Sequence, residues 1–217
     1  MDATAEMDRM IKARHLLTHP FYQAWSNGEG PLPTLREYAA QYHHFESNFP
    51  RYVAGTYARI ADPARRRVLL DNLVDEEGRS PTHPELWQRF GRAIGVTTPK
   101  LLSTPPSPAT QRLLMVYERA ALNRSAASGL GALYAYESIF PEVAAEKSRG
   151  LRENYGITSK DAHEFFRVHT RADQEHSAAE RRLLAEEMRT PGGRRAAMTA
   201  ARQSRDAWWG FLDAFQE

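Results

Sequence analysis

The sequence predicts an all-α fold: a single compact helical domain of about seven to eight helices spanning residues 1–217. Three observations predict it. Apolar residues recur at helical spacing in nearly every long segment, no stretch alternates apolar and polar residues long enough for a strand, and short Gly/Pro-rich connections separate the segments. With 41% hydrophobic and 26% charged residues, the chain has enough apolar surface to bury a core and too much for disorder.

Residues 4–18 read as a first helix, followed by a turn at SNGEGPLP (26–33). Thr34 stands three residues before Glu37, the spacing of a capping box, and opens a helix carrying Tyr38, Tyr42, Phe45 and Phe49. Pro50 should kink or break it. Asp62-Pro63 begins a third helix, which carries Leu69, Leu70, Leu73 and Val74 and stops at Gly78. His83-Pro84 opens a shorter helix ending at Gly95, and TTPKLLSTPPSPAT (97–110) is the longest expected loop. Helices are expected over 108–125, 126–149 and 159–189, with PGG (191–193) before a last helix that ends in WWGFLDAF (208–215). Trp208, Trp209, Phe211 and Phe215 read as its packing face.

Several function classes are excluded or disfavoured. The chain has no cysteine, so disulfides, thiolate metal sites and cysteine nucleophiles are ruled out. Its 29 basic residues are interspersed among 27 acidic ones, which gives no basic patch for nucleic acid. The charged N-terminal stretch lacks a signal core, and no segment is apolar enough to span a membrane, so a cytoplasmic location is expected.

Three local patterns point to metal chemistry. His169, Asp173 and His176 stand at i, i+4 and i+7, within about 60° of one another on a helix. Phe165, Phe166 and Ala172 continue that face, so it should point inward, where a carboxylate is costly unless paired or metal-bound. The plainer alternative is a solvated face with local His–Asp contacts. In DEEGRSPTHPELW (75–87), an acid at one helix end and His83 at the start of the next can converge on one ion, although surface acids and a first-turn histidine are equally compatible. Glu137 lies inside the apolar run GALYAYESIFPEV (131–143), as a ligand or as a partner of a tyrosine. Together the three patterns supply oxygen and nitrogen ligands without sulfur, a set that suits two iron or manganese ions. No E-x-x-H occurs around His83, His169 or His176, which disfavours a ferritin-like bundle. His15, His19 and His163 lack carboxylates at ligand spacing, and the adjacent His43 and His44 face different directions on a helix, so all five read as structural.

D-E-E-G-x(4)-H-P-E-L-W, Tyr136-Glu137 and H-x(3)-D-x(2)-H together resemble the chlamydial proteins associating with death domains and their bacterial relatives. These are haem-oxygenase-like dimetal oxidases, similar in fold to the pyrroloquinoline quinone biosynthesis protein PqqC. The resemblance covers the whole chain and implies Glu76, His83, Glu137, His169, Asp173 and His176 as ligands of two ions, Fe/Fe or Fe/Mn; it selects Glu76 over Glu77. It further implies a self-sacrificing p-aminobenzoate synthase that uses O₂ and a reductant, with Tyr22, Tyr38, Tyr136 and Lys147 as the matching tyrosines and amine donor. Pairing into a homodimer would be in keeping with such proteins. One departure stands out: Phe165 occupies the place of a family tyrosine four residues before the first histidine. The alternatives are a dimetal oxidase of an outside small molecule, a protein-interaction module, and a cofactorless PqqC-like oxidase, the last of which would need other residues at the six ligand positions.

Overall fold

The computed structural model describes residues 2–216, which form eleven α-helices, two 3₁₀ turns and no strand. The helices are α1 (Ala3–Lys12), α2 (Pro20–Asn27), α3 (Leu32–Arg59), α4 (Pro63–Glu77), α5 (His83–Ala93), α6 (Thr98–Ser103), α7 (Pro108–Leu122), α8 (Ala126–Glu137), α9 (Phe140–Tyr155), α10 (Lys160–Glu187) and α11 (Pro191–Leu212). The chain holds 13 prolines and stays helical because most of them sit in first turns, where a missing N–H costs nothing.

The helices outnumber the expected seven or eight because one segment divides and because α2 and α6 form where no helix was expected. The first expected helix becomes α1 and a 3₁₀ turn at Leu16–Thr18, and 126–149 splits into α8 and α9 around Ser138 and Ile139. α6 forms inside the expected loop 97–110, capped by Thr97, whose side chain accepts from the Lys100 N–H. One local expectation is overturned. Thr34 is not a cap, since α3 already starts at Leu32. The capping box instead lies at Thr82 and Glu85, opening α5. Of the two outcomes expected at Pro50, a break does not occur, since it lies inside the 28-residue α3. Pro50 has no N–H to give the carbonyl of Glu46, but Phe49, Tyr52 and Val53 are buried around it and hold the helix together.

α8 is buried on every side, and α11, α3, α7 and α10 pack around it. It approaches α11 closely enough that a Cβ at Gly131 would lie 2.4 Å from the carbonyl oxygen of Ala197. α3 and α10 are the longest helices, and their inward faces meet in an aromatic core of Tyr38, Tyr42, Phe45, Phe165 and Phe166, with Trp87 and Trp208 packed against it. Among the described residues no helix is long and apolar enough to cross a membrane.

Candidate metal centre

The stripe expected on α10 forms and extends a turn further. His169, Asp173, His176 and also Glu180 are buried along one face. Facing it, α4 ends with Glu76 turned inward at 1% exposure while Glu77 is exposed, which settles on geometric grounds which of the two acids enters the core. Gly78 ends α4, and the Thr82 cap starts α5 one short turn later, so His83 enters the same space. Glu137 arrives from the last turn of α8, fully buried.

The side chains converge in two overlapping sets. Ligand atoms of Glu46, Glu76, His83 and His169 lie within 4.8 Å of one another, and so do those of Glu76, Glu137 and His176. Glu76 is common to both. Asp173 belongs to neither tight set, but its Oδ1 lies 3.8 Å from His176 Nδ1 and its buried Oδ2 has no hydrogen-bond partner. Glu46 and Glu180 were not anticipated from the sequence. Glu46 could have been read from its place eight residues after Tyr38 and four after Tyr42 on the inward face of α3, and Glu180 from its place four after His176.

Many of these atoms are close without being paired. His83 Nδ1 is 2.9 Å from Glu76 Oε2 and His176 Nδ1 is 3.3 Å from Glu137 Oε1, yet His83 Nδ1, His176 Nδ1 and both Glu76 oxygens lack a hydrogen bond. Such contacts are near but misaligned, the arrangement expected when lone pairs aim at a shared centre. A cluster of buried carboxylates is costly unless cations compensate it. Orphaned oxygen and imidazole nitrogen atoms around two centres therefore fit a pair of hard or borderline metal ions.

Electrostatics agrees. Burial, then the charges of Glu137, Glu76 and Glu46, hold the Asp173 carboxyl well above its ordinary range. Burial and the neighbouring His83 hold His169 well below its usual value, leaving it neutral with a lone pair to offer. Burial opposes charge on His176, but Glu137 outweighs it and raises the imidazole to about 9, so in the metal-free chain a proton occupies the ligand position. Second contacts orient the rings: His169 Nδ1 lies 2.9 Å from the carbonyl of Phe165, and His176 Nε2 lies 3.2 Å from Asp75. Asn72 donates to Glu137 Oε1 at 3.0 Å.

Beside this cluster lies a phenol–amine chain. Lys147 on α9 is 1% exposed, and its Nζ donates to the Tyr38 hydroxyl at 2.6 Å. Tyr38 shares a 2.8 Å hydrogen bond with Tyr22. The same Nζ lies 4.8 Å from the centre of the Tyr22 ring and 5.2 Å from that of Phe140. Burial lowers the Lys147 amine well below its ordinary value against the pull of Glu46, which favours its neutral form. Tyr136 and Tyr42 are hydrogen-bonded through their hydroxyls, and Tyr136 stacks on Trp208 at 4.9 Å. Phe165 packs on His169 with ring centres 4.0 Å apart and brings no hydroxyl.

The other histidines find ordinary partners. His15 and His19 cap short helices, with Glu142 3.4 Å from His15 and Asp213 3.1 Å from His19. His163 is held by Ser148 and the carbonyl of Ile157. His44 meets the Thr104 carbonyl and His43 meets Ser47.

Comparison with known proteins places this geometry in a family. Residues 36–209 match the family described as iron-containing redox enzyme. A 4-aminobenzoate synthase of Chlamydia muridarum is 37% identical over 217 residues, covering 100% of this chain and 91% of the relative. A CADD-like protein of unknown function from Nostoc punctiforme superposes with a TM-score of 0.80 at 20% identity, covering 98% of this chain and 95% of that one. A domain of unknown function with a haem-oxygenase-like fold from Shewanella denitrificans gives 0.78 at 16% identity, covering 98% and 88%. The fold is haem-oxygenase-like, and the chain belongs to the family of iron-containing redox enzymes.

Proposed function

We propose that the chain is an O₂-dependent, non-haem dimetal oxidase that makes p-aminobenzoate from its own Tyr22, with nitrogen from Lys147. The observation that carries this reading is the burial of the Lys147 amine against the Tyr22 ring, beside the acid–histidine cluster. The full-length likeness to a 4-aminobenzoate synthase supports it.

Glu76, His83, Glu137, His169, Asp173 and His176 would hold the two ions, iron with iron or iron with manganese, since their oxygen and nitrogen donors suit both metals. When bound, such a pair supplies oxidising power drawn from O₂ and an external reductant. The chain's own residues do the rest. Lys147 Nζ keeps its lone pair because burial disfavours the ammonium form. Tyr38 links that amine to the Tyr22 hydroxyl, so a phenol proton can move along the chain Tyr22–Tyr38–Lys147 without water. The rings of Phe21, Trp25 and Tyr38 surround Tyr22 and fix its plane. With Phe165 lacking a hydroxyl, the hydroxyls beside the cluster belong to Tyr42 and Tyr136.

A cavity of about 490 Å³ beside His83, lined also by Asp75, Leu86, Arg167 and Arg171, favours a second reading in which an outside small molecule is oxidised. Growth of a p-aminobenzoate-requiring strain separates the two. Expression of this chain should restore growth, and the purified protein should contain iron. Failure to restore growth, with iron still bound, would favour the outside substrate.

A further inference from the structure

We infer that Glu46 is a further metal ligand, a fourth carboxylate that completes the half of the centre formed by Glu76, His83 and His169. The inference rests on the dimetal reading above and adds a residue to it. Glu46 is 2% exposed on the inward face of α3, and its Oε1 has no hydrogen-bond partner. That oxygen lies 3.9 Å from His169 Nε2.

The tautomer of His169 makes this contact informative. Its Nδ1 faces the Phe165 carbonyl at 2.9 Å, and a carbonyl only accepts, so the ring proton sits on Nδ1. Nε2 therefore presents a lone pair to Glu46. The two atoms face each other across a buried gap too wide for a hydrogen bond, so even a proton on Glu46 would not join them, whereas one cation between them would satisfy both. Atoms bound to one ion at roughly 2.0–2.2 Å lie up to about 4 Å apart, so the 3.9 Å between Glu46 Oε1 and His169 Nε2 fits a shared ion. Charge points the same way. Glu76, Glu137 and Asp173 leave two divalent ions with one uncompensated positive charge, and Glu46 cancels it in a site where net charge is costly. The set also gives this half two imidazoles and two carboxylates, with Glu76 shared between the halves.

The test titrates the metal-free chain with Mn(II) under anaerobic conditions, counting free ion by electron paramagnetic resonance. The wild type should take up two ions. Glu46→Gln, which keeps shape and loses charge, should retain one tightly and bind the second about 10- to 100-fold more weakly or worse, the range seen when even an outer partner of a ligand is removed. Metal-free E46Q should melt at or above the metal-free wild type, because a buried unpaired carboxylate has gone. Two ions bound with unchanged affinity in E46Q would overturn the assignment while leaving the dimetal centre standing. No uptake by the wild type would overturn both. Should E46Q fail to fold, the Co(II)-loaded Glu46→Asp variant decides. A shifted visible d–d band supports ligation, and a spectrum superimposable on the wild type contradicts it.

Discussion

Tyr22→Phe should abolish p-aminobenzoate formation while leaving metal content and helical signal unchanged. The substitution removes one hydroxyl from a buried ring and keeps its volume. It breaks the 2.8 Å bond to Tyr38 and leaves a phenyl ring that cannot lose a phenol proton. The stability cost should be about 1 kcal/mol, that of one hydrogen bond lost between hydroxyls that can still partner elsewhere, since Tyr38 keeps Lys147. Lys147 needs a different probe. Arginine looks conservative there from the sequence, but the amine is enclosed by the Tyr22, Tyr38, Tyr42 and Phe140 rings, and a bulkier, permanently charged guanidinium would overpack the site. Lys147→Met keeps the length without the amine, and it should end product formation with iron still bound. Product formed at the wild-type level by either Tyr22→Phe or Lys147→Met, measured by mass spectrometry, would remove that residue from the reaction.

Stripping the metals should have the second largest effect, and the effect should depend on pH. In the metal-free chain burial opposes the charge on His176, but Glu137 raises it to about 9, above the unfolded value near 6.5. A raised folded pKa means the folded state holds the proton more tightly. The resulting stability is complete below about pH 6.5 and is lost as pH rises through 9. Burial raises Asp173, Glu46 and Glu180 as well, so their ionisation works in the same direction as pH rises. His176 alone bears on roughly 3 kcal/mol at most over that window. On the proposed reading, bound ions would take the place of the proton and compensate the acids, stabilising the native state by about 4 kcal/mol when present at a thousand times their Kd. Thermal midpoints of the metal-free protein should therefore fall from pH 6.5 to 9 while those of the metal-loaded protein stay nearly level. Parallel curves would show that the ions do not bind among these groups. The helices should persist in both forms, because the aromatic core rather than the metal supplies most of the burial.

How much of this could be read from the residues varies with how local the cause is. The α10 stripe was legible because i, i+4 and i+7 place three side chains on one face whatever the tertiary fold. Glu137 was legible because a lone acid among apolar residues needs a reason to be buried. The choice between Glu76 and Glu77 depends on how the end of α4 is rotated against α10, which periodicity at a helix terminus does not determine. Glu46 was missed because Ser47 and Asn48 follow it and suggest a wet surface, whereas the packing of α3 against α4 and α5 buries it. Lys147 sits between Glu146 and Ser148, with the Arg149 ion pairs nearby at the surface, and its burial is decided by α2 packing on α9. Cap residues misled in the same way. Thr34–Glu37 and Thr82–Glu85 share a spacing, but the prolines at 31 and 33 let α3 start earlier, and only the second pair forms the reciprocal bonds.

The most direct measurement follows the atoms of Tyr22. Protein grown with ring-labelled tyrosine, loaded with metal and given O₂ and reductant should release labelled p-aminobenzoate, at no more than one molecule per chain. Peptide mapping should then find the loss of mass at residue 22. Product in excess of the chain concentration, or an unlabelled ring, would show that the chain turns over an outside substrate and does not consume itself.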